Sequence, residues 1–158
     1  MATGKGGLQK VREALTKAFP SLTTKQVSGL ASQPLQTLNF LDGETVVRQD
    51  QWANAFYVIT SGEAEVVKYD AHGNEQDLEM VLGPGDYFGE IGLLREPPKR
   101  TATVRARSTL EVTVLDRARF GDLLESSEAA ATSVDQTARA RLARKPARAR
   151  KPAKRPDS

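Results

Sequence analysis

The stretch GPGDYFGEIGLLREPPKRTATVRA, residues 83–106, joins turn-forming glycines, a short apolar segment, two prolines, a basic pair and a strand-like end. Gly83, Gly85 and Gly89 permit tight turns and a close approach of a ligand to the backbone. The segment GEIGLL is too short for an ordinary helix, but it is long enough for one helical turn. The amide groups at the start of such a turn have no intrahelical partner, so they favour an anion.

Two residues near that turn carry opposite charges. Arg100 has a planar, fixed positive charge that suits phosphate oxygens. Glu90 does not bind phosphate, but its carboxylate accepts a hydrogen bond from a hydroxyl group. Gly92 has no side chain, so an anion can lie directly on its amide. Taken singly, Glu90 and Arg100 are ordinary surface residue types. Together they indicate a ligand with both a phosphate and a nearby ribose hydroxyl.

The segments around this stretch have the pattern of short strands. Between residues 35 and 116, β-branched and aromatic runs alternate with turn-forming residues. The turns are expected at Asp42-Gly43, Ser61-Gly62, His72-Gly73-Asn74 and residues 83–86. About eight short strands with close turns predict a mainly β fold, either a closed barrel or a double-sheet jelly roll.

Helices are expected on both sides of the strands. Apolar residues recur at helical spacing near the N-terminus, at Leu8, Val11, Leu15 and Phe19. A second short helix is predicted next, with Thr23 or Thr24 as its N-cap. Sequence rich in Ala, Leu and Arg predicts further helices over about residues 117–143, with Ser126 or Ser127 as a cap.

Composition limits the classes of protein and site. The chain has 158 residues, 39% of them hydrophobic, which suits one domain with an appendage. The absence of cysteine excludes disulfides, thiolate metal sites and cysteine nucleophiles. His72 is the only histidine, so a multi-histidine metal site is excluded as well. The sequence shows neither a signal peptide nor a membrane-spanning apolar run, and we expect a cytoplasmic protein.

The net charge of +3 is unevenly distributed along the chain. Residues 139–158 contain nine Lys and Arg and one acid, whereas the remainder contains 14 basic and 19 acidic residues. Residues 144–158 lack apolar periodicity and are rich in proline and positive charge, which predicts a disordered tail. A basic run of this kind is usually a solvated segment. It can also bind nucleic acid or an anionic membrane by charge alone, although it has no aromatic residues for base stacking.

The stretch at residues 83–106 resembles the phosphate-binding cassette of the cyclic nucleotide-binding domain family. The preceding sequence DGETVVRQDQWANAFYVITSGEAEVV, residues 42–67, is similar to the early barrel strands of that family. The resemblance extends over roughly residues 20–140. It implies a β-roll, or jelly-roll barrel, with flanking helices and a short cassette helix. It also implies that cAMP or cGMP binds between barrel and cassette, with a C-terminal lid helix near residues 127–143.

The resemblance also implies roles for individual residues. Glu90 matches the glutamate that holds the ribose 2′-hydroxyl, and Arg100 matches the arginine that pairs with the cyclic phosphate. Thr101 matches a threonine that adds a hydroxyl contact and is associated with better cGMP binding. Backbone contacts at the cassette turn are expected from Gly89, Ile91 and Gly92.

The spacing of the cassette departs from the family pattern by one residue. The usual separation of glutamate and arginine is nine residues, whereas Glu90 and Arg100 are ten apart. Alignment from Glu90 places Lys99 in the arginine position, and alignment from the following TATV selects Arg100. We prefer Arg100 because the strand after it fixes the register.

These observations predict an N-terminal helix at 1–19, a cyclic nucleotide-binding domain at 20–143 with its barrel at about 35–116, and a basic disordered tail at 144–158. The expected function is a sensor that binds cAMP or cGMP as its ligand and signals to an unknown effector by movement of the C-terminal helix. No cofactor, metal or catalytic activity is expected.

Two other classes of protein stay open as alternatives. The first is a nucleic-acid-associated protein that acts through its basic tail, with the barrel as a degenerate scaffold. The second is an enzyme on a jelly roll, which is disfavoured because the sequence has one histidine, no cysteine and no paired-carboxylate motif. The sequence also leaves open whether the chain is part of a larger channel, transporter or kinase.

Overall fold

The computed structural model describes residues 5–144. Within that range the chain forms five helices and eight strands. The tail predicted at 144–158 lies outside the described residues except for Arg144, and so do the first four residues of the predicted N-terminal helix.

Two helices precede the strands, as the sequence pattern predicts. They are α1 (Lys5–Ala18) and α2 (Thr24–Ala31). Thr23 is the N-cap of α2: its hydroxyl accepts a hydrogen bond from the amide of Gln26, and the Gln26 side chain accepts one from the Thr23 amide. This reciprocal pair satisfies two amides at the start of the helix.

Eight strands form two antiparallel sheets. The strands are β1 (Gln36–Phe40), β2 (Thr45–Val47), β3 (Ala55–Ser61), β4 (Ala64–Tyr69), β5 (Glu75–Leu82), β6 (Tyr87–Phe88), β7 (Thr103–Ala106) and β8 (Leu110–Asp116). The strand orders are β1-β8-β3-β6 and β2-β7-β4-β5, four strands in each sheet. The predicted mainly β fold with two sheets is confirmed. The turn between β3 and β4 requires glycine, because Gly62 has a φ of 85° and a Cβ there would overlap the carbonyl oxygen of Thr109.

The central strand β3 is buried on both faces, which explains its continuous apolar sequence. Its neighbouring residues Val58 and Ile59 are both fully buried, and they belong to different hydrophobic clusters. Ile59 faces the cluster between the two sheets, while Val58 faces a cluster shared with the helices. Alternation of side chains along a strand makes both contacts possible.

Three more helices complete the domain: α3 (Glu90–Leu94), α4 (Arg117–Ser126) and α5 (Glu128–Ala143). The hydroxyl of Ser127 accepts a hydrogen bond from the Ala130 amide and caps α5. Ala130, Val134 and Ala138 form the buried face of α5. Packing of this face holds the last turn of α5 close to α3.

Neither a membrane span nor a metal cluster is found among residues 5–144. None of the helices there combines the length and the apolar character that crossing a bilayer requires. No group of three or more His, Asp or Glu side chains in the same range is arranged to hold a metal ion.

Candidate functional site

A cavity lies between the β2-β7-β4-β5 sheet, α3 and the last turn of α5. All six residues selected from the sequence line it, namely Gly89, Glu90, Ile91, Gly92, Arg100 and Thr101. Much of the remaining wall is apolar, from Val47, Val66, Leu78, Met80, Leu82, Phe88 and Val104. The fold therefore places both charges of the cassette in one largely apolar site.

Glu90 is the first residue of α3 and is almost completely buried, with 1% of its surface exposed. Both of its carboxylate oxygens lie 2.8 Å from Nη1 of Arg141, which comes from α5. Burial raises the pKa of Glu90, and the positive charges of Arg141 and Arg100 oppose that rise. The carboxylate is therefore held in place by α5, which the sequence does not indicate.

Arg100 is also buried, with 5% of its surface exposed. Its Nη2 donates to the carbonyl oxygen of Ala55 at 3.0 Å, and its Nη1 donates to that of Gly89 at 3.3 Å. The guanidinium lies 5.5 Å from the centre of the Tyr57 ring. Burial lowers the pKa of Arg100, although an arginine stays charged at any physiological pH. The site thus holds a fixed positive charge next to the cassette turn.

Lys99, the alternative to Arg100, has a different position. Its ammonium lies 5.1 Å from the centre of the Trp52 ring, and Trp52 is 65% exposed. Lys99 is not among the residues that line the cavity. The loop that carries Trp52 also holds the backbone of Arg100. The Arg100 amide donates to the carbonyl oxygen of Gln51, and the Arg100 carbonyl oxygen accepts from the amide of Asp50.

Gly89 and Gly92, the two glycines selected as site residues, have steric reasons to be glycine. Gly89 has a φ of 96°, and a Cβ there would lie 2.8 Å from Nη1 of Arg100. A Cβ on Gly92 would lie 2.7 Å from Cβ of Ala53. Gly89 therefore allows Arg100 to approach the turn, and Gly92 allows α3 to pack against Ala53.

Arg141 is the functional candidate that sequence reasoning missed. Besides its contact with Glu90, its guanidinium lies 5.2 Å from the centre of the Tyr87 ring. One sequence signal points to it. Val134, Ala138 and Arg141 follow i, i+4, i+7 spacing, so Arg141 continues the buried face of α5.

Three more lining residues were also missed. Arg144 directly follows α5, and its Nε donates to the carbonyl oxygen of Leu78 while its Nη2 donates to that of Glu79. Leu142 of α5 and Lys68 of β4 line the same cavity. Among the described lining residues, four carry a positive charge and one carries a negative charge, a balance that suits an anionic ligand.

Comparison with known proteins identifies the family of the chain. A family model described as "Cyclic nucleotide-binding domain" matches residues 37–127, which is more than half of the chain. The cAMP-dependent protein kinase regulatory subunit of Schizosaccharomyces pombe is 38% identical over 114 residues, which are 71% of this chain and 26% of that protein. Another such subunit, from Blastocladiella emersonii, is matched over 22% of its length. The chain therefore spans about a quarter of the length of these relatives.

Solved structures show the same fold. The regulatory domain of Toxoplasma gondii PKA with cAMP has a TM-score of 0.71 and 26% identity, and the match covers 83% of this chain and 49% of that one. The Thermus thermophilus catabolite activator protein has a TM-score of 0.69 and 26% identity, with 80% and 58% covered. The protein therefore belongs to the cyclic nucleotide-binding domain family and contains the ligand-sensing module of that family.

Proposed function

We propose that the cavity binds cAMP or cGMP and that binding is transmitted to the rest of the protein through α5. One observation carries this proposal: a buried acid and a buried arginine line the same cavity, and α5 holds the acid directly. The relatives named above are regulatory subunits, which supports a sensory role.

The cyclic phosphate is assigned to Arg100 and the turn at residues 89–92. Arg100 has a guanidinium that is already desolvated and oriented by the carbonyl oxygens of Ala55 and Gly89. Charge-assisted hydrogen bonds to phosphate are stronger than neutral ones, and more so where water is excluded. Lys99 is a poorer candidate, since it lies over Trp52 and outside the cavity wall.

The ribose 2′-hydroxyl is assigned to Glu90. A carboxylate has about four lone-pair sites, so the contact with Arg141 leaves capacity for one hydroxyl donor. A ligand hydroxyl on Glu90 would share the carboxylate with Arg141. Occupancy of the site would then change how firmly α5 is held.

The output is assigned to α5 and the basic sequence after it. A ligand shifts a conformational equilibrium only through differential contacts with the two states. The end of α5 has contacts that a ligand could alter at two edges of the cavity. Arg141 is bonded to Glu90, and Arg144 is bonded to β5. The effector is not identified by these residues, and it can lie in a longer protein or in a separate partner.

Calorimetry of the full chain with cAMP and cGMP tests the ligand. Arg100→Lys keeps a positive charge but loses the planar fork, and Arg100→Ala loses both. We expect a loss of affinity of roughly 10- to 150-fold for Arg100→Ala, because a hydrogen bond to a charged group contributes about 1.5–3 kcal/mol. Lys99→Ala is the matched control and should bind like the wild type.

Circular dichroism confirms that each variant is folded before binding is compared. Absence of binding heat at high micromolar ligand with folded wild-type protein would overturn the proposal. If Lys99→Ala loses affinity while Arg100→Ala does not, the phosphate assignment is wrong although the ligand class survives.

Three expectations from the sequence stay predictions. Lack of catalytic activity is tested by incubating cAMP and cGMP with the protein and looking for hydrolysis products. The boundary at residues 143–144 is tested by limited proteolysis, which should cut there before it cuts within 20–143. The predicted boundary at residues 19–20 is not expected to be an early cleavage site, because α1 and Phe19 pack into the same core as the strands. A cytoplasmic location is tested by fractionation of cells that express the chain.

A further inference from the structure

We propose that the end of the cavity formed by β4, β5 and the last turn of α5 selects a 6-oxopurine base, so that the chain prefers cGMP to cAMP. This inference rests on the proposed cyclic nucleotide function and adds the identity of the base and the residues that read it, Lys68 and Arg144.

The position of this end follows from the strand register. Val66 of β4 pairs with Met80 of β5 and with Val104 of β7, and all three line the cavity. Lys68 lies two residues beyond Val66, on the same face of β4, and also lines the cavity. Arg144 is bonded to Leu78 and Glu79, immediately before Met80.

The last turn of α5 connects the two ends of the site. Arg141 is bonded to Glu90, and Arg144, three residues later, is bonded to β5. Three residues of helix rise by about 4.5 Å. In a nucleotide the phosphate and the base extend from opposite sides of the ribose. With the phosphate on Arg100, before β7, and the ribose on Glu90, the base is assigned to the part of the site farther across the sheet, beside Lys68 of β4 and Arg144 next to β5.

The polar side chains at this end are hydrogen-bond donors. Lys68 presents an ammonium group with three donors and no acceptor, and Arg144 presents a guanidinium that also lacks an acceptor. The other lining side chains at this end are apolar, namely Val66, Leu78, Met80 and Leu142. The carbonyl oxygens of Leu78 and Glu79 already accept hydrogen bonds from Arg144. No acidic or amide side chain lines this end within residues 5–144.

Purine bases differ at the edge that such donors can read. Guanine presents two acceptors there, O6 and N7, whereas adenine presents the acceptor N7 beside the donor N6 amino group. Lysine or arginine therefore pairs well with guanine, and either one opposes the amino group of adenine. Discrimination of this kind corresponds to roughly a 5- to 150-fold difference in affinity.

Calorimetry of the full chain with cGMP, cIMP and cAMP tests the inference. Hypoxanthine, the base of cIMP, has O6 and N7 but lacks the 2-amino group of guanine. Binding of cGMP and cIMP with similar affinity, both at least about ten-fold tighter than cAMP, is the expected result. The cIMP arm separates reading of O6 and N7 from any contact with the 2-amino group.

Lys68→Met removes the ammonium and keeps an apolar stem, and Lys25→Met on the exposed surface of α2 is the matched control. Lys68→Met should lower affinity for cGMP and cIMP by roughly ten-fold and leave cAMP affinity unchanged. Equal or tighter binding of cAMP by the wild type overturns the inference alone, as does an unchanged cGMP-to-cAMP ratio in Lys68→Met. Failure of all three nucleotides to bind overturns the proposed function together with it.

Discussion

Glu90 shows how strongly one side chain depends on its surroundings. It is the one acid among the described residues that line the cavity, and its only side-chain ion-pair partner within that range is Arg141. Burial raises the pKa of Glu90 because the charged form loses its hydration, and Arg141 and Arg100 act in the opposite direction. Any ligand hydroxyl on this carboxylate would meet a group whose protonation depends on the packing of α5.

Glu90→Gln tests the direction of this pKa shift. A raised pKa means that the folded state holds the proton more tightly than the unfolded state. The resulting stabilisation is fully present below the ordinary value of 4.5 and is lost as pH rises through the folded-state pKa. We expect the free energy of unfolding of the wild type, relative to Glu90→Gln, to fall as pH rises from about 4.5 towards neutrality in urea titrations. A difference that is constant over this range would contradict the shift.

Gly89→Ala tests the steric role of the cassette turn. The new Cβ would lie 2.8 Å from Nη1 of Arg100 on a backbone with a φ of 96°. Both effects destabilise the protein, by roughly 1–3 kcal/mol together. Gly29→Ala is the matched control, because nothing lies within 4 Å of its Cβ and alanine favours the helix by about 1 kcal/mol. Thermal melts should move in opposite directions for the two variants, and a Gly89→Ala melt at or above that of the wild type would refute the steric role.

At the scale of elements, α5 connects the helical core with the ligand cavity. Its first part is fixed by the Ser127 cap and by burial of Ala130 and Val134. Its last turn depends on Arg141 and Arg144, which bond to α3 and β5. The two parts of the helix are therefore stabilised differently, the first part by packing and the last turn by the contacts of two arginines.

Arg141→Met should loosen the last turn of α5. The substitution keeps an apolar stem but removes the contact with Glu90. We expect hydrogen exchange at residues 138–143 to rise by roughly ten-fold, which corresponds to about 1.4 kcal/mol of opening free energy. Arg139→Met is the control, since the Arg139 side chain is 78% exposed and pairs only within α5 with Asp135. Equal exchange in both variants would show that Arg141 does not anchor the helix.

At the scale of the whole molecule, aromatic rings connect the helices to the β3 sheet. The ring of Phe56 on β3 lies 5.9 Å from Phe19, 5.1 Å from Tyr87 and 4.8 Å from Phe120. These rings come from four distant parts of the chain. Their contacts make the N-terminal and C-terminal helices part of the same hydrophobic core as the barrel.

Phe56→Ala should therefore destabilise the entire domain. Phe56 is fully buried, and truncation of a buried phenylalanine costs about 3–5 kcal/mol. The control is Leu41→Ala, because Leu41 is 69% exposed and surface changes usually stay within about 0.5 kcal/mol. Denaturant titrations followed by circular dichroism measure both. A loss below 1 kcal/mol for Phe56→Ala would mean that the ring cluster is not central to the fold.

Local patterns account for much of the agreement between prediction and structure. The strands, the turns and the helix caps depend on residues a few positions apart, so their signals are visible in the sequence. The cassette is also local, because Glu90 and Arg100 lie within ten residues of each other and line one cavity. The choice between Thr23 and Thr24, or between Ser126 and Ser127, depends on the hydrogen bond that forms, and the structure selects Thr23 and Ser127.

The contacts of α5 with the cavity could not be predicted from local sequence patterns. Arg141 is 51 residues from Glu90, and Arg144 is 66 residues from Leu78. In the sequence both belong to a run of basic residues, and the helical spacing that places Arg141 on the buried face of α5 does not show which distant residue it contacts. Amino-acid order was sufficient for the cassette, its glycines and the eight strands, because their causes are local. Only the tertiary structure decides which arginines line the site, because α5 packs against segments that are distant in the sequence.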